Sequence, residues 1–66
     1  MQIILNGSPH ETGQARTIAE LLQALGYEGK RIAVERNGEI VPRSRHADTP
    51  LADQDQLEIV VAVGGG

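Results

Sequence analysis

The 66 residues predict an α+β fold, with one helix laid on one face of a mixed sheet of about five strands. Three observations carry this expectation. Only one segment, Thr17 to Leu25, has the periodicity of an amphipathic helix. Several short apolar runs are punctuated by turn residues. An Asn37-Gly38 pair sits between two of those runs, where it reads as a hairpin turn.

Taken in order, Met1 to Leu5 is a short apolar run ending at the turn-forming residues Asn6-Gly7-Ser8-Pro9. As a strand it sends Ile3 and Leu5 to one face and Gln2 and Ile4 to the other. The polar segment His10 to Gln14 contains Gly13 and can form a second strand only as an exposed edge returning from that turn. Thr17-Ile18-Ala19-Glu20 has the spacing of a capping box, in which Thr17 accepts from the Glu20 amide and Glu20 reaches back. Ile18, Leu21, Leu22 and Leu25 then form one helical stripe, and Gly26 stands where a left-handed C-terminal cap belongs. A helix this short is marginal alone, so its stripe must rest on a sheet.

Arg31 to Arg36 and Glu39 to Val41 flank Asn37-Gly38. A type I′ turn needs positive φ at both central residues, which Asn-Gly tolerates. That register pairs Arg36 with Glu39, Glu35 with Ile40, and Val34 with Val41. Pro42 ends the second strand of the hairpin because it has no N–H to give to a ladder. Residues 43–55 read as polar and irregular, with Pro50 and Leu51 as an anchor. Leu57 to Val63 is the most apolar strand, and Gly64-Gly65-Gly66 follows it. Leu57, Ile59, Val61 and Val63 are expected to face the helix.

The order β-β-α-β-β-loop-β, with a helical crossover that returns a later strand parallel to the first, is the β-grasp or ubiquitin-like arrangement. A ferredoxin-like fold would need a second helix, and no other segment has the period. The expected division is a β-grasp domain over residues 1–63 and a flexible glycine tail over residues 64–66.

Composition narrows the function. Net charge is −3, and the six basic residues are interspersed with nine acids. Phosphate binding needs a concentrated basic face, so nucleic acid is not an expected partner. No apolar run approaches the length of a membrane span, and the first residues carry no signal-peptide pattern. A soluble cytoplasmic protein is therefore expected. With no cysteine, no Phe, no Trp and Tyr27 as the one aromatic residue, the core must be aliphatic.

No catalytic constellation emerges. His10 and His46 read as solvated histidines, and Asp53 and Asp55 as turn formers rather than paired catalytic carboxylates. Neither Ser8 nor Ser44 has an identifiable base beside it. No metal or cofactor site is expected. The chain reads as a non-enzyme, and the chemistry moves to its end. Three glycines present a carboxylate on a stalk without side chains, thin enough for a narrow channel on another protein; the same tail would also fit a frayed terminus or an appended linker. A helix covers only one face of the sheet, so Ile4, Val60 and Ala62 on the other would form an apolar strip beside the tail, read as a docking surface.

These residues carry a resemblance to a known family. Met1-Gln2-Ile3, Thr17 to Leu22, the run Ile32 to Arg43 with Val-Glu-Arg-Asn-Gly-Glu-Ile-Val-Pro-Arg, and the ending Leu57 to Gly66 resemble the sulfur carrier proteins of thiamine biosynthesis, the ThiS family. Family members often have Trp where His46 stands and Asp-Gly-Asp where Asp53-Gln54-Asp55 stands. The tail here has three glycines, where many relatives have two preceded by another residue. The resemblance implies that a ThiF-like adenylyltransferase uses ATP and Mg²⁺ to activate the Gly66 carboxylate. It implies that a cysteine desulfurase or persulfide relay then supplies sulfur to give a thiocarboxylate, and that a ThiG-like thiazole synthase consumes it. Gly64 and Gly65 would enter the partner channels, and the chain itself would bind no cofactor. Left open are sulfur donation to another pathway (molybdopterin, tRNA thiolation, cysteine synthesis), a ubiquitin-like modifier, and a β-grasp interaction module with incidental glycines.

Overall fold

A computed structural model describes residues 1–62. Its elements are β1 (Gln2–Leu5), β2 (Ser8–Glu11), α1 (Ile18–Ala24), β3 (Ile32–Arg36), β4 (Glu39–Val41), a 3₁₀ turn (Arg43–Arg45) and β5 (Gln56–Val61). The strands form one sheet in the order β2-β1-β5-β3-β4. β5 runs parallel to β1 and antiparallel to β3, so the last strand lies at the centre, as the β-grasp reading requires. The expectations for Val63 and for Gly64, Gly65 and Gly66 lie outside the described residues.

Both hairpins turn on Asn-Gly. Asn6 and Gly7 have φ of +50° and +85°, and Asn37 and Gly38 have +52° and +86°. The second hairpin has the expected register, Val34 with Val41, Glu35 with Ile40 and Arg36 with Glu39. The first differs from expectation. Ser8 and Pro9 are not turn residues but the start of β2, opposite Leu5 and Ile4. Pro9 fits there because Leu5 and Ser8 are the hydrogen-bonded pair next to a two-residue turn. The following pair, Ile4 and Pro9, therefore needs no proline N–H.

α1 starts as its sequence demands. Thr17 Oγ1 accepts from the Glu20 amide at 3.2 Å, while the Glu20 carboxylate accepts from the Arg16 amide at 2.7 Å, one residue beyond the expected box. The carbonyls of Thr49 and His46 take the next free amides, those of Ile18 and Ala19. At the other end Gly26 has φ of +80°. The Tyr27 amide donates to Leu22 and that of Gly26 to Gln23, which together make a Schellman cap.

The core lies between α1 and one sheet face. Ile3, Ile18, Leu21, Val34 and Leu57 are the largest fully buried side chains, joined by Leu22, Leu51 and Ile59. Leu57 and Ile59 face the helix as expected, and Val61 is half-buried. Leu51 is buried and hydrogen-bonds to Arg16, so it does anchor the long loop. His46 is a correction. It is buried rather than solvated, with Nε2 3.1 Å from the accepting carbonyl of Val41. The 3₁₀ turn rolls its ring inward, and the polar residues around it gave no sign of that. His10 is half-buried.

Candidate functional site

β5 delivers the chain from the middle of the sheet toward the glycines, and its hold on both neighbours determines where it points. On the β3 side, pairing runs from Leu57 opposite Arg36 to Val61 opposite Ile32. On the β1 side the ladder is brief, with Ile4 opposite Gln56 and Leu5 opposite Leu57. There the chain of β1 turns away, and the side chain of Asn6 continues the ladder. Its Oδ1 accepts from the Ile59 amide at 2.8 Å, and its Nδ2 donates to the Ile59 carbonyl at 3.2 Å. In the sequence Asn6 reads only as a turn residue.

The start of β5 is pinned by Asp55. Its buried carboxylate accepts from Arg36 Nε at 2.8 Å, Asn37 Nδ2 at 3.0 Å and the Ala52 amide at 2.8 Å. Asn37 in turn accepts from the Gln56 amide at 3.0 Å, tying the second hairpin turn to β5. Burial alone would raise the Asp55 pKa, but the bonds from Arg36, Asn37 and Ala52 and the Arg36 charge outweigh it and hold the pKa below the ordinary value. Arg36 thus turns to Asp55, although Glu39 lies opposite it in the hairpin. Asp53 accepts from the Gln2 amide instead, so the two aspartates do separate structural work.

The face of the sheet away from α1 carries the candidate docking residues. Val60 and Ala62 are both exposed there, and Ala33 lies opposite Val60. Ile4 is on the same face but half-buried and opposite Gln56. That is four residues before Val60, about 13 Å along the strand. The structure therefore does not bring Ile4 beside Val60 and Ala62. Their apolar neighbourhood is extended instead by Ala33 and, across Glu35, by Ile40. The Glu35–Ile40 register was already available from the Asn-Gly hairpin.

On the helix side, a cleft of about 310 Å³ is lined by Leu22, Tyr27, Lys30, Ile32, Arg43 and His46 among others. Among the described residues, no three His, Asp or Glu side chains gather as a metal site. None of their helices is long and apolar enough to cross a membrane.

With the central strand and its fastenings in place, comparison with known proteins is decisive. The family model described as "ThiS family" matches residues 3–66. This chain belongs to the ThiS family. It is 32% identical to the sulfur carrier protein ThiS of Escherichia coli (strain K12), covering 100% of both chains. A crystal structure of the thiamine biosynthesis protein ThiS from Geobacter metallireducens superposes with a TM-score of 0.81 at 33% identity, again covering 100% of both. The chain is also 42% identical, over its whole length, to a thiazole synthase of Paramagnetospirillum magneticum. It spans only 20% of the length of that protein and of a second thiazole synthase, from Magnetococcus marinus. ThiS membership accounts for the central β5 and the five-stranded mixed sheet with one helix.

Proposed function

We propose that the chain is a sulfur carrier of thiamine biosynthesis, acting in the cytoplasm as a co-substrate of other enzymes rather than as a catalyst. The observation that supports this best is the end-to-end similarity to a protein named as a sulfur carrier, the ThiS of Escherichia coli. The glycines after β5 agree with it.

The reacting group in this reading is the Gly66 carboxylate. A carboxylate is a poor acyl donor, so an adenylating enzyme of the ThiF type would join it to the α-phosphorus of ATP with Mg²⁺, releasing pyrophosphate. A persulfide from a desulfurase or relay would then displace AMP to give an acyl disulfide. A second thiol of that relay would cleave it, releasing the thiocarboxylate and leaving a disulfide on the relay. A thiazole synthase of the ThiG type is the proposed consumer, since two relatives of this chain are themselves named thiazole synthases. Gly64 and Gly65 would occupy the partner channels, where any side chain would obstruct passage. Val60 and Ala62, with Ile4 further along the face, would lie on the docking side of the body. Because the chain contains no cysteine, a thiol on its own body cannot hold the sulfur.

The test is intact-protein mass after incubation with ATP, the adenylating enzyme and a sulfur source. The expected result is the gain from replacing one oxygen by sulfur, located in the C-terminal peptide. Unchanged mass with an enzyme active on its own carrier would overturn the proposal and favour a β-grasp interaction module.

A further inference from the structure

A carrier must be recognised by the enzyme that consumes its sulfur, so a docking face for that enzyme presupposes the carrier reading. We propose that the uncovered sheet face docks a thiazole synthase through a lysine or arginine of that enzyme set among apolar side chains, and that the cation is received between Glu35 and Glu58.

β3 and β5 bring Glu35 directly opposite Glu58. The Asn37 amide donates to Gln56 on one side of this pair, and the Ala62 amide donates to Arg31 on the other. Counting residues between those bonds makes Glu35 and Glu58 a hydrogen-bonded pair, with Cα atoms about 5.5 Å apart. Like charges placed directly opposite destabilise a ladder. Both side chains are exposed, and neither forms an ion pair among the described residues. Arg36, adjacent in sequence, points to the other face and is taken by Asp55.

Apolar surface surrounds the two acids. Ile40 lies opposite Glu35 and is 74% exposed; Val60 follows Glu58 on the same face and is 63% exposed. Ala33 fills the corner opposite Val60. In the isolated domain this block is unfavourable twice over, through repulsion and through exposed hydrocarbon. A single occupant relieves both, with a cation between the carboxylates and apolar groups over Val60 and Ile40. Charge complementarity selects a basic group, and the net charge of −3 favours approach of the same kind of partner. A thiazole synthase is the occupant because in two such enzymes a domain similar to this whole chain is part of the same polypeptide. Such a domain is tethered to the rest of the enzyme.

The test measures affinity for thiazole synthase by calorimetric titration, alongside the thermal melting of each variant. Glu58→Lys turns a repelling pair into an attracting one, so its melting temperature should equal or exceed that of the unsubstituted chain. Its binding should nevertheless weaken by about tenfold or more, with a flatter salt dependence. Glu28→Lys makes the same change in net charge on an exposed loop that is not on this face, and should leave affinity unchanged. Equal affinity for Glu58→Lys and the unsubstituted chain would overturn the proposal. So would an equal loss in Glu28→Lys, or a large drop in the melting temperature of Glu58→Lys. Failure of the unsubstituted chain to bind thiazole synthase would overturn the choice of occupant. The sulfur-loading mass measurement uses no thiazole synthase, and so shows separately whether the carrier reading has failed.

Discussion

Gln54 holds φ of +70° in the turn before β5, where its amide donates to the Gln2 carbonyl at 2.7 Å. A side chain with a β-carbon is strained in that region by about 1–2 kcal/mol, and glycine is not. Gln54→Gly should raise unfolding free energy by about 0.5–1 kcal/mol, the strain relief less the added freedom of the unfolded chain. Urea denaturation measures it, and a lower midpoint would contradict the strain argument. Its neighbour Asp55 acts in the opposite sense. Its pKa is lowered in the folded state, so its stabilisation is complete above the ordinary value of 3.8 and is lost as pH falls through the lower folded value. Asp55→Asn should cost about 1–3 kcal/mol near neutrality by disrupting bonds to half-buried Arg36 and to Asn37. It should also flatten the stability–pH curve below pH 3.8. An unchanged acid limb in the variant would assign that pH dependence to other carboxylates.

Strand β5 depends on elements far from it in sequence, and this divides what could be read in the chain from what could not. α1 and the Asn37-Gly38 hairpin were legible because their signals are local: a capping box, a stripe of four apolar residues, a glycine cap, a turn dipeptide. The β1–β2 hairpin uses the same Asn-Gly signal but was placed too late, because Pro9 reads as a turn residue until the pairing shows that its missing N–H is not needed. The burial of His46 and Asp55 was illegible, since it is decided by α1, Arg36 and Asn37 folding over them. The docking strip was legible as a face but not in detail; β5 meets β1 at Gln56, which moves Ile4 away from Val60. Asn6 was hidden for the same reason, as its partner Ile59 is 53 residues away. Asn6→Ala removes the two side-chain bonds to Ile59 that extend the fastening of β5 on the β1 side and should destabilise the domain by about 1–2 kcal/mol. Hydrogen exchange gives the specific reading. The Ile59 amide should lose protection well beyond what global destabilisation explains, whereas the Glu58 amide, on the β3 side, should follow the global change. Parallel losses at the two amides would mean that Asn6 is not a local clamp.

At the scale of the molecule, the folded body and the glycine tail should be separable by substitution. The body rests on a small aliphatic core centred on side chains such as Leu21, which is fully buried. A domain of this size is stable by only a few kcal/mol, and Leu21→Ala removes about 2–5 kcal/mol of that. The variant should therefore be largely unfolded near body temperature by circular dichroism. Whatever binds only the folded form should recover structure in it, by mass action. Sulfur loading of Leu21→Ala should then be slow at low concentrations of adenylating enzyme and approach the normal rate as that enzyme is raised. Gly65→Val makes the opposite change. It leaves every buried core side chain unaltered, so its melting temperature should match the unsubstituted chain, yet a branched side chain in a channel sized for glycine should prevent adenylation at any enzyme concentration. If Gly65→Val forms adenylate normally, the tail is not read through a narrow channel. If Leu21→Ala is not rescued by excess enzyme, the enzyme does not recognise the folded body. The two variants together test whether this protein separates recognition by the body from chemistry at the tail.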